Sequence, residues 1–167
     1  MRGAYRSIGI NRNDFMSLIQ INDNRPDDIK AIQWLSFASN AFNVMVPFYA
    51  DIETTPDYLS NTTGEVSTDN FYWSSRMMAA MADASYKKSI FHIERYQEHV
   101  LSKGHVIINR YDDMIQNEAD TDKHLALKHE ANQAVADMLK AATSDTLGKV
   151  LYELSNEMKN AYSRSDA

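Results

Sequence analysis

The chain has 167 residues, a formal net charge of -6 and a pI near 5.3, and it contains no cysteine. Its length suits one compact domain, and its charged fraction excludes a disordered or collagen-like chain. The negative balance argues against nucleic acid and anionic membrane surfaces as partners, and the absence of thiols excludes disulfides, thiolate metal sites and a thiol nucleophile of its own.

Two strands are expected first, over Tyr5–Ile10 and Phe15–Ile21, joined by a turn at Asn11–Asp14 whose Asn and Asp residues tolerate left-handed backbone. In the second run Phe15, Ser17, Ile19 and Ile21 share one face, and Met16, Leu18 and Gln20 the other. Both faces are largely apolar, so this strand is expected at the centre of a sheet. A polar connection at residues 22–28 leads into Ile29–Phe37.

The stretch Trp34–Tyr49, WLSFASNAFNVMVPFY, organises the chain. No Lys, Arg, Asp or Glu occurs between Lys30 and Asp51. Ser39, Asn40 and Asn43 interrupt it, which predicts two buried strands around a polar turn. Pro47 cannot donate to a ladder, so the second strand should be an edge, a strand end or an irregular wall. The stretch falls short of the roughly 20 apolar residues of a membrane helix. The first residues, MRGAYRSIGI, carry no apolar core of a secretory signal, and a cytoplasmic location is compatible. Residues 50–66 read as an irregular loop that separates a strand-rich part, 1–66, from a helical part, 67–167, of the same domain.

From Ser67 the period changes to helical. Ser67, Thr68 or Asp69 can cap a helix over Asn70–Ser85. Helical sequence follows over Lys87–Gln116, with a stripe of Phe91, Tyr96, Val100, Ile107, Tyr111 and Met114; Gly104 is either an interior glycine or a C-cap that splits it in two, and one long helix is favoured because the apolar residues resume in step beyond it. Asp120 or Thr121 can cap a third helix ending at Ala142. Thr143 or Ser144 can cap a fourth over Asp145–Tyr162, with Leu147, Val150, Leu151, Leu154 and Met158 as its apolar stripe. The last two are expected as an antiparallel pair packed on the long helix.

Local motifs add little chemistry. His92, His99, His105, His124 and His129 all lie in the helical part without an HExxH spacing, so they read as helix surface rather than metal ligands, and no cofactor is implied. Glu94 and Glu98, one turn apart, could form an acid/base couple, but beside Arg95 and His99 they read as a solvated face. Met77, Met78, Met81 and Trp73 read as packing.

The ordered series YRSIGINRNDFMSLIQI, AIQWLSFASNAFNVMVPFYADIETTPDYL and STDNFYWSSR resembles the C-terminal part of the cysteine dipeptidase (dipeptidase A) family of lactic acid bacteria. The resemblance implies an α+β fold forming part of an N-terminal-nucleophile hydrolase αββα sandwich, with strands in the first third and a helical C-terminal bundle. It implies peptide-bond hydrolysis of dipeptides by an N-terminal cysteine, activated by its own α-amine. This sequence departs from the family in holding no cysteine and beginning at Met1, so it is expected to be a segment of a dipeptidase, inactive alone and acting on dipeptides only with an N-terminal segment. Arg6, which matches a family arginine position, is implied as the catalytic-site charge that lowers the thiol pKa or steadies the intermediate. Asn43, in the turn before VPFY, is the candidate to present an amide to substrate. A segment cut from a larger sheet should expose strand edges and apolar area, so a homo-oligomer is expected of the isolated chain. The alternative from a different class is a non-catalytic helical interaction module.

Overall fold

The computed structural model of the chain describes residues 13–39 and 41–158. The expected strand at Tyr5–Ile10 and the candidate Arg6 lie outside them. The architecture is α+β: strands β1 (Phe15–Ile21), β2 (Ala31–Phe37) and β3 (Val46–Tyr49), then helices α1 (Asp57–Ser60), α2 (Phe71–Ala84), α3 (Tyr86–Asn117) and α4 (His124–Asn156), with a short 3-10 turn at Thr121–Lys123. No helix among the described residues is long and apolar enough to cross a membrane.

The three strands form an antiparallel sheet in the order β1-β2-β3, with Phe15 opposite Phe37, Ile21 opposite Ala31 and Trp34 opposite Pro47. In β2 burial alternates with the pleat, so Ile32, Trp34 and Ser36 point inward. That inner face rests on α3. Trp34 stacks on His105 with ring centroids 4.9 Å apart, and the Tyr49 hydroxyl reaches α3 at Asp112. Every residue of β3 is buried, as a charge-free strand covered on both faces should be. Among the described residues β1 pairs only with β2, and most of its side chains are exposed; the strand expected before it, Tyr5–Ile10, lies outside them, so they do not test its expected central place. Two apolar faces identify a strand that can be covered twice; they do not state what covers it.

The helix boundaries follow local chemistry at some ends only. Asn70, rather than the three residues before it, caps α2, its Oδ1 accepting the Trp73 main-chain N–H at 2.9 Å. The long α3 does run through Gly104. Its buried stripe is Ser89, Ile93, Tyr96, Val100, Gly104, Ile108, Asp112 and Ile115, while Phe91 and Met114 are exposed. The two helices expected at the C-terminal end are one continuous helix, α4. Thr143 is fully buried in its middle, with its hydroxyl 2.9 Å from the Tyr96 hydroxyl, so a tertiary partner occupies the oxygen that a cap would use. Accordingly Val150 is buried, whereas Leu151 and Met158 of the expected stripe are exposed. Helices α3 and α4 make the most extensive contact in the structure, and one hydrophobic core joins β2 and β3 to α2, α3 and α4.

Two glycines test the packing in opposite directions. A Cβ at Gly104 would lie 2.8 Å from Pro47 Cδ and 3.0 Å from its Cγ, whereas a Cβ at Gly148 would meet nothing within 4 Å. Gly104→Ala should therefore lower stability by about 1–3 kcal/mol despite the better helix propensity of alanine, by forcing the stiff proline ring away. Gly148→Ala should raise it by about 0.5–1 kcal/mol. Urea denaturation of the two variants checks both signs.

Candidate functional site

The polar turn before β3 places Asn43 inside the protein, with 3% of its surface exposed. Its Oδ1 accepts the Val44 main-chain N–H at 2.8 Å, and its own N–H donates to the Ser39 carbonyl at 3.1 Å. Gln97 of α3 donates from Nε2 to the Asn43 carbonyl at 2.7 Å. The Asn43 Nδ2 group is left as a buried donor with no hydrogen-bond partner among the described residues. A donor in that condition is costly unless something accepts from it. Ala38, at the start of the turn, has a φ of 64°, left-handed backbone that an alanine rarely adopts. Its N–H donates to the Asp14 carbonyl at 2.9 Å, tying the turn to the start of β1.

Beside this turn lies a cleft of about 530 Å³, bounded by Asp14, Ala38, Ser39 and Phe42 on one side and by Arg76, Ala79 and Asp83 of α2 on the other. Arg76 donates to Asp14 across it at 2.5 Å. Asn43 does not line this cleft. The structure therefore does not join Asn43 to the cleft, and Arg6 lies outside the described residues.

A second polar constellation, which the sequence did not single out, secures β3 to the helices. Asn132 of α4 is fully buried; its Oδ1 accepts the Tyr49 N–H and its Nδ2 donates to the Tyr49 carbonyl, both at 2.9 Å. The side-chain amide thus extends the ladder where a fourth strand would sit. Tyr49 donates its hydroxyl to Asp112 Oδ1 at 2.6 Å, and Asp112 Oδ2 accepts from Arg25. Burial pushes the Tyr49 phenol well above its ordinary range, so it is a fixed donor. One turn before Asn132, the buried Lys128 pairs with Asp51 at 2.5 Å. His129 meets the Thr54 hydroxyl at 3.3 Å. No signal short of the fold reveals these pairs, since their partners lie 63 or more positions apart in sequence.

The other histidines are surface groups, as their spacing suggests. His92 faces Glu153 at 3.4 Å. No group of three or more His, Asp or Glu residues able to hold a metal occurs among the described residues. His124 differs, because Nε2 faces the Glu118 carbonyl at 3.0 Å and Nδ1 faces the Asp28 carboxylate at 2.6 Å. Two acceptors on one ring require two N–H groups, which favours imidazolium. The Glu118 carbonyl, then Asp28, raise its pKa above the ordinary 6.5.

Two outcomes follow. Asn132→Ala strands both main-chain groups of Tyr49 and should cost about 2–5 kcal/mol, read as a lower urea midpoint with faster exchange of the Tyr49 amide. Because the folded pKa of His124 is raised, its contribution is fully present below the unfolded value of 6.5 and is lost as pH rises through the folded value. The melting-temperature advantage of the native chain over His124→Gln should thus be larger at about pH 5.5 than at about pH 8.5.

Residues 1–99 match peptidase family C69. Over 163 residues the chain is 38% identical to a probable dipeptidase A of Streptococcus pyogenes, covering 98% of this chain and 34% of that protein. It is 36% identical to a dipeptidase of Bifidobacterium longum, covering 99% and 38%. It is 31% identical to dipeptidase A of Lactobacillus helveticus, covering 90% and 31%. The chain spans about a third of the length of these curated relatives. With more than half of its residues inside the family match, and the resemblance in its strands and turn supported by these relatives, the chain belongs to peptidase family C69.

Proposed function

We propose that this chain is the C-terminal portion of a cysteine-type dipeptidase, contributing one sheet and its helices to an N-terminal-nucleophile αββα sandwich. The observation that carries the reading is the match of nearly the whole chain to proteins named dipeptidases, in a sequence with no cysteine. The nucleophile then comes from polypeptide outside these 167 residues. Its thiolate adds to the carbonyl carbon of the dipeptide, and the carbonyl electrons move to oxygen. Collapse of this adduct breaks the C–N bond, the free amine leaves with a proton from the N-terminal ammonium, and water then cleaves the thioester. Donors aimed at the oxyanion lower both barriers.

In this reading Arg6 supplies positive charge that favours the thiolate, and Asn43 supplies an amide donor to the substrate. Support for Asn43 comes from its buried Nδ2 without a partner and from the hydrogen bond of Gln97, which fixes the turn that carries it. The isolated chain turns over no dipeptide, and a cytoplasmic location belongs to the same reading.

The test is an assay of dipeptide cleavage by the chain alone and by the chain joined to the unmatched remainder of the Streptococcus pyogenes relative. The chain alone should match a buffer blank, and the joined protein should cleave and be silenced by thiol alkylation. Turnover by the purified chain alone overturns the proposal. In the joined protein Asn43→Ala should lower kcat by about 10²–10³-fold, the usual loss for one oxyanion or substrate donor. An unchanged kcat with a lower melting temperature would reduce Asn43 to a turn residue.

A further inference from the structure

A second cleft runs along the seam of α3 and α4 and shares no lining residue with the cleft beside the Asn43 turn. Its volume is about 450 Å³, within the range of small-molecule sites. From α3 it is lined by His92, Arg95, Tyr96 and His99, and from α4 by a stripe that runs from Met138 to Lys149. Both sets follow helical spacing, so the cleft is a groove between two facing helix surfaces. It stays open because α4 presents Ala141 and Ala142 there, side chains too short to fill it. The Tyr96 hydroxyl is committed to Thr143 at 2.9 Å, so Tyr96 contributes ring surface rather than a free polar group. With Met138 and the two alanines it makes one side of the groove apolar.

The polar groups of the groove are incompletely partnered. Arg95 has no ion pair and no hydrogen bond among the described residues; its guanidinium lies over the Phe91 ring, 4.2 Å from the centroid. Stacking occupies the face of a guanidinium and leaves its N–H edge free to donate. His99, one turn further along α3, also has no hydrogen-bond partner among the described residues. Thr146 is only 5% exposed, yet its hydroxyl makes no hydrogen bond among the described residues. A polar side chain so enclosed is costly to leave unpaired. Asp145, the only carboxylate of the described lining, is paired with Lys149 at 2.6 Å. The formal charge left unmatched in the lining is therefore that of Arg95.

We infer that the groove between α3 and α4 binds a small amphipathic monocarboxylate, one carboxylate carried on an apolar chain or ring. The Arg95 guanidinium takes the carboxylate with paired N–H donors, and the Thr146 hydroxyl and the His99 ring each offer one more. The apolar body lies against Tyr96, Met138, Ala141 and Ala142. Charge and shape select among anions. One unmatched positive charge suits a monoanion, and inorganic phosphate has no apolar part to cover that side of the groove. The site stands apart from the dipeptidase reading, because it uses neither Arg6 nor Asn43 and its ligand is held without being turned over.

Titration of the chain with 3-phenylpropionate, read by calorimetry and by the amide shifts of residues 138–149, tests the inference. One-to-one saturation is expected, with a Kd of about 0.1–10 mM. The uncharged 3-phenylpropanamide and inorganic phosphate should each bind at least about tenfold more weakly. Arg95→Gln should weaken binding of 3-phenylpropionate by about tenfold or more. Lys123→Gln removes the same formal charge outside the groove and should change affinity by less than about twofold. Ala141→Leu fills the groove without altering a charge and should also weaken binding by about tenfold. Arg95 and Ala141 are exposed, so both variants should keep the native melting temperature, which separates loss of the site from loss of the fold. Any of four results overturns the inference. These are no saturable binding of 3-phenylpropionate, an amide or phosphate that binds as well, an equal loss in Lys123→Gln, and indifference to both Arg95→Gln and Ala141→Leu.

Discussion

One side-chain amide closes the sheet. Strand β3 carries Pro47 and Tyr49 two residues apart, so their main-chain groups point to the same side. At Tyr49 that side faces Asn132, which supplies both a donor and an acceptor. A buried strand margin without partners would leave main-chain groups unsatisfied at a cost of about 1–3 kcal/mol each. The proline removes one such donor and the asparagine satisfies the groups of Tyr49. A helix can therefore lie along the margin of a fully buried strand where a further strand would otherwise be needed.

That arrangement sets the position of everything around it. With α4 held to Tyr49 through Asn132, and α3 to the same residue through Asp112, the helical hairpin is tied to a single strand end. Gly104 then permits α3 to approach Pro47 more closely than any residue with a Cβ would allow. Lys128 with Asp51 and His124 with Asp28 continue the attachment along the same helix. The turn bearing Asn43 is braced from α3 by Gln97, so the candidate substrate donor sits on a loop whose backbone is held from both ends. A functional amide requires such support, because an error of an ångström in position weakens a directed hydrogen bond.

The two sides of the sheet differ in kind. Where helices cover it, polar atoms are paired through specific partners such as Trp34 with Gln20 and Tyr49 with Asp112. On the other face Phe15, Ile19 and Ile21 of β1 are exposed, and Gln33 of β2 donates from Nε2 to the Ser17 hydroxyl at 3.0 Å.

The sequence by itself determined the strand periods, the charge-free stretch Trp34–Tyr49 and membership of a dipeptidase family, because each depends on local spacing or on a series of residues in order. Only the tertiary structure decided that Thr143 lies inside one helix, that β1 stands at the margin of the described sheet, and that Asn132 and Asp112 hold β3. Thr143 is a good cap by local preference, yet the hydroxyl of Tyr96 satisfies it from 47 positions away. Asn132 looks like any helical asparagine until a strand end from 83 positions away is placed against it. Local chemistry states what a polar side chain can bond, and the fold chooses which partner reaches it first.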